Sequence, residues 1–92
     1  MKLFPAKQIE LGMKAQQLLN NDAFKKGFED LKLEYMDKWE KTPAGATEDR
    51  EKYYLAVRML KEIHAKILLY VEDKKYTEGV QLINKEGNNA NI

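Results

Sequence analysis

Thr47-EDREKYYLAVRMLKEIHAKILLYVE-Asp73 is the stretch on which the fold turns. Within it Tyr53, Val57, Leu60, His64, Ile67 and Val71 recur at steps of four, three, four, three and four, the period of one helical face. Ala56, Ile63 and Tyr70 widen that face. Thr47 has the chemistry of an N-cap, and Glu48, Asp49 and Glu51 place acidic charge in the first turn, where the helix dipole favours it. The spacing predicts a helix over about 48–73, roughly 39 Å long at 1.5 Å per residue.

Immediately upstream, Thr42-Pro43-Ala44-Gly45-Ala46 is the strongest break in the chain. Proline cannot continue a helix, and glycine allows the reversed backbone that many tight connections use. Before it, Phe24, Phe28, Leu31, Tyr35 and Trp39 fall on one stripe, which predicts a second helix over about 22–41. Glu34 with Lys38 and Asp37 with Lys41 are acid-before-base pairs four apart, a spacing that stabilises an exposed face. Asn20-Asn21-Asp22 supplies caps. A shorter helix over about 5–19 opens on Pro5, whose missing N–H suits a first turn, and contains Gly12, which costs about 1 kcal/mol relative to Ala.

Downstream of Glu72-Asp73-Lys74-Lys75 the pattern fades. Residues 77–85 read as a short helix, with an extended segment as the alternative. Gly87-Asn88-Asn89-Ala90-Asn91 reads as part of a disordered tail over 87–92. The expected fold is therefore all-α: an antiparallel helical hairpin with an additional short N-terminal helix, like a three-helix bundle, in one domain over 1–86.

Ninety-two residues suffice for one domain but bury little, so stability should be narrow. The apolar share of 43% and charged share of 34% are compatible with folded amphipathic helices. With no cysteine, neither disulfides nor thiolate metal sites hold the fold. No stretch approaches the ~20 apolar residues of a membrane span, and the N-terminus lacks a secretory signal pattern, so a cytoplasmic protein is expected. Sixteen basic residues against fifteen acidic ones give a formal charge of +1, unlike a typical nucleic-acid-binding domain.

The third helix is apolar on more than one side, because Tyr54, Leu55, Met59, Leu68 and Leu69 lie off the main stripe. A hairpin covers one stripe. The first helix or a second copy would have to cover the rest, and the heptad-like seam centred on Leu60 and Ile67 suggests a homo-oligomer. The candidate interface is thus Tyr53, Val57, Leu60, His64, Ile67 and Val71.

Little in the chain looks catalytic. His64 is the sole histidine and reads as a packing residue, with proton carrier or ligand as the alternative; Lys61 stands where a Glu-x-x-His di-iron motif needs glutamate. Neither a phosphate loop, a nucleophile elbow nor a metal-ligand cluster occurs, so no enzyme and no cofactor is expected. Tyr35 and Trp39, one turn apart beside Lys38, are candidates for stacking on bases, and Arg50 with Lys52 near a helix start are candidate anion contacts. Packing for the aromatics and ion pairing for Arg50 and Lys52 are the readings favoured over these.

Asn20-Asn21-x-Ala23-Phe24 with Phe28, Leu31, Tyr35 and Trp39, followed by Thr47-x-x-Arg50-Glu51-x-Tyr53 with Val57, Leu60 and Ile63, resembles small helical-hairpin proteins of tailed bacteriophages and prophages. The resemblance covers about residues 20–73. It implies a viral protein in host cytoplasm or virion, associating with itself or with another phage or host protein as an assembly, accessory or adaptor factor. A more distant similarity, carried by the hairpin and Arg50-Glu51, is to phage anti-defence sponges that oligomerise and sequester cyclic nucleotides. It implies the alternative of a nucleotide or nucleic acid held at an oligomer interface, and transfers no site residue.

Overall fold

The computed structural model describes residues 4–90, with side chains described as far as residue 83. These form three helices, α1 (Pro5–Leu19), α2 (Asp22–Lys41) and α3 (Thr47–Ala90), and no strand is present among the described residues. The all-α expectation and the spans of the first two helices agree with this arrangement.

Local chemistry accounts for the breaks. Asn21 caps α2: its side-chain oxygen accepts from the Phe24 N–H at 2.9 Å. At the other end Thr42 is held extended, φ −72° and ψ 128°, the region imposed on a residue before proline. Its N–H donates to the Trp39 carbonyl at 3.3 Å and its hydroxyl to the Lys38 carbonyl at 2.6 Å, so two carbonyls left open by the helix end are satisfied. The Ala46 N–H then donates to the Pro43 carbonyl, and the Ala46 carbonyl accepts the Arg50 N–H. That last bond makes Thr47 the first helical residue of α3 rather than its cap. No described residue has positive φ, so the turn does not use the backbone freedom of Gly45.

The third helix corrects the expected boundaries. It does not stop near Asp73 but runs to Ala90, taking in residues 77–85 and also 87–90, which read from sequence as tail. Extending an established helix adds one hydrogen bond per residue fixed and needs no new nucleus. Polar composition and Gly87 therefore weigh less at the end of a long helix than in an isolated segment. Residues 91 and 92 of the expected tail lie outside the described residues.

Packing groups the chain into two compact units. One, Asn20–Lys66, contains α2 and the start of α3. Phe28 meets His64, Tyr35 meets Tyr53, and Trp39 meets Arg50, so numbers rising along α2 fall along α3 and the hairpin is antiparallel. The other unit joins α1 to α3 from Ile67 onward. Gln8 meets Thr77 while Gly12 faces Tyr70 and Lys74, again an antiparallel pair. The first helix thus has its own partner in α3 from Ile67 onward, including the segment 77–85 that the sequence reading had made a separate short helix.

The two units use different packing. In the α1 unit the covered residues are small: Gly12, Ala15 at 5% exposure, Val71 at 4% and Thr77 at 8%. A Cβ on Gly12 would overlap the Lys74 Cβ and stand 2.8 Å from the Tyr70 carbonyl oxygen, so the two backbones approach as closely as glycine permits. In the hairpin the contacts are aromatic, with Phe24 and Phe28 ring centres 5.4 Å apart, and no residue of α2 is fully buried. A large side chain gives about 1.5–3 kcal/mol only on full burial, so this hairpin realises a fraction of its apolar content.

Candidate functional site

The stripe Tyr53, Val57, Leu60, Ile67 and Val71 is at least half-buried against the chain's own helices, while His64 is exposed at its edge. Tyr53 lies 6.3 Å from Tyr35, and His64 lies 6.0 Å from Phe28, centre to centre. Within the chain, Tyr53 and His64 of this stripe meet rings of α2, and Val71 is buried in the unit that contains α1. Periodicity marks a face to be covered and is silent on which helix covers it.

What remains uncovered is the set lying off that stripe, together with Ile63, which the spacing had placed on its widened edge and which is 46% exposed. In the hairpin, Leu55, Met59 and Ile63 stand four apart on α3, and Leu55 and Met59 are 47% and 55% exposed. In the α1 unit, Leu69, Tyr76, Val80 and Ile83 follow at steps of seven, four and three, all exposed. Each is an apolar row on one helical face. Both rows contain residues the sequence flagged, Leu55 and Met59 in one and Leu69 in the other. Val80 and Ile83 lie in the segment read as a short helix, but the row they form with Tyr76 was not read, because the pattern was taken to fade after Lys75.

The candidate ligand contacts Tyr35, Trp39 and Arg50 all lie in the hairpin, each with a structural partner. The Arg50 guanidinium stands 5.0 Å from the Trp39 ring centre, and its Nη1 donates to the Thr42 carbonyl at 3.0 Å. Tyr35 faces Tyr53, with the Lys38 ammonium 5.4 Å from the Tyr35 ring and 6.0 Å from the Tyr53 ring. Glu34 accepts from Lys38 at 3.2 Å and, by that hydrogen bond and its charge, holds the ammonium above its ordinary pKa. The predicted Asp37–Lys41 pair also forms, at 3.0 Å. These exposed pairs order α2 weakly, and from α3 the Lys52 ammonium also stands over Tyr53, 5.9 Å from its ring centre.

Among the described residues no group of three His, Cys, Asp or Glu side chains is placed to hold a metal ion, and no helix is long and apolar enough to cross a membrane. The chain matches no protein-family model, and neither a curated protein nor a solved structure is significantly similar to it.

Proposed function

We propose that this chain is a non-enzymatic helical protein that acts through self-association and protein–protein contact, in an assembly, accessory or adaptor role of the kind its resemblance to tailed-phage hairpin proteins implies. The observation that carries the reading is the outward row Leu55, Met59 and Ile63 on a hairpin that buries no residue of α2. Exposed apolar rows of this kind mark interaction surfaces. A second copy would remove them from water without changing the intrachain seam. The alternative, a nucleotide held near Tyr35, Trp39 and Arg50, finds no support in their geometry, because Arg50 is engaged by Trp39 and Thr42.

Light scattering across a concentration series tests the proposal. A defined mass above that of one chain is expected, falling to the single-chain mass in the Leu55→Asp/Met59→Asp double variant while helical circular dichroism is retained. A single-chain mass for the unmodified protein at every concentration would remove it.

A further inference from the structure

One groove of the hairpin is lined by Phe28, Glu29 and Lys32 of α2 and by Lys61 and His64 of α3, and encloses ≈ 320 Å³. Phe28 and Lys32 are four apart, and Lys61 and His64 three apart, so each helix turns both of its groups to the same side. The volume is at the lower end of the range for small-molecule sites.

Three of the four lysines elsewhere on α2 are paired within the helix, Lys25 being the exception. Lys26, Lys38 and Lys41 each give their ammonium to a carboxylate four residues away, at 2.8, 3.2 and 3.0 Å. Lys32 and Lys61 have no ion pair among the described residues. For Lys61 the sequence is the reason: Val57, Arg58, His64 and Ala65 occupy the positions three and four away, so its own helix offers no carboxylate. Lys32 is half-buried as a residue. Glu29 is the one acidic lining residue against two lysines. An anion entering here meets two uncommitted cations, with the Phe28 and His64 rings, inclined at 47°, as an adjoining wall.

We infer that this groove is a binding site for a phosphate monoester carrying a planar ring. Lys32 and Lys61 meet the phosphate as point charges, a role in which lysine serves without the geometry of an arginine fork. Phe28 and His64 provide the surface against which the ring lies. The inference is independent of self-association, since it needs only the one hairpin.

The test uses the 92-residue chain and phenyl phosphate as the probe, at constant ionic strength set with sodium chloride so that general screening is held fixed. His64 is the only histidine, so its ring-proton resonances are unambiguous reporters in the groove. A saturable shift of those resonances is expected on titration. The Lys32→Gln/Lys61→Gln variant should weaken binding at least about tenfold, the loss expected for two charge-assisted hydrogen bonds. Lys61→Gln alone, at an exposed position, should weaken it in the same direction even if the double change disturbs the half-buried Lys32 site. Lys25→Gln, outside the groove, should leave affinity unchanged. No saturable shift in the unmodified protein, an equal shift with chloride alone, or unchanged affinity in Lys61→Gln would each overturn the proposal. The light-scattering mass is a separate readout, so the failure of either proposal can be told from that of the other.

Discussion

Arg50 stands over the face of Trp39, 5.0 Å from its ring centre, and from that position its Nη1 reaches the Thr42 carbonyl at 3.0 Å. One side chain from the first turn of α3 thereby holds the last turn of α2 and the residue that ends it.

Removing that latch should loosen the hairpin. Arg50→Ala loses an exposed cation–π contact and a charge-assisted hydrogen bond, together about 1–2 kcal/mol at this degree of exposure. Arg50→Lys should recover only part of this, because an ammonium lacks the planar fork that stacks and donates at once. Thermal unfolding followed by the fluorescence of Trp39 checks both; equal stability of Arg50→Ala and the unmodified protein would show that the contact carries no weight.

Gly12→Ala offers a test in which two effects have opposite signs. Helix propensity alone favours alanine by about 1 kcal/mol. The close approach of α3 argues the other way, because the new methyl would overlap Lys74 and crowd the Tyr70 carbonyl, and overpacking of this kind costs about 1–3 kcal/mol. Net destabilisation is expected, with faster amide exchange in α1. A rise in melting temperature would mean that the helices separate without cost.

Aspartate substitutions should divide α3 into two classes. Leu60→Asp places a charge in the intrachain seam and should reduce helicity and stability by about 2 kcal/mol or more. Met59→Asp, one residue along but facing outward, should leave the helical signal within about 0.5 kcal/mol in stability while reducing the mass in solution. Circular dichroism and light scattering on the two variants separate fold from association. If Leu60→Asp changed mass alone, the seam assignment would be reversed.

Acid should weaken α1 through Glu10. The hydrogen bond from Lys14, then the charges of Lys14 and Lys7, hold its carboxyl below the usual glutamate range, with ammonium distances of 3.1 and 3.6 Å. A carboxyl whose folded pKa is depressed contributes stability above the unfolded value and loses it as pH falls through the folded one. The gap in helicity between the unmodified protein and Glu10→Gln should therefore be small and present at neutral pH, closing once pH has dropped below about 4.3 and through the lowered value. A gap unchanged in acid would exclude this ion pair as its source.

Much of the helical architecture could be read without coordinates, because its signals are local. Pro5 at a first turn, Asn21 with its oxygen on the Phe24 N–H, and Pro43 behind an extended Thr42 act within a few residues of themselves. The acid-before-base pairs of α2 are local in the same sense. The end of α3 was misread because local composition understates how readily an existing helix extends, and with it went the outward row from Tyr76 to Ile83.

By itself, then, the sequence determined where helices start, the main apolar stripes of α2 and α3, and the Glu34–Lys38 and Asp37–Lys41 pairs, since each depends on spacings of three and four along one backbone. Only the tertiary structure decided which helix covers which face. Tyr53 meets Tyr35 of α2, Val71 is buried in the unit that contains α1, Arg50 is committed to Trp39 and Thr42, and Lys32 and Lys61, 29 positions apart in sequence, come to line one groove. Those outcomes depend on contacts between residues remote in sequence, and a periodicity confined to one helix carries no information about the helix that meets it.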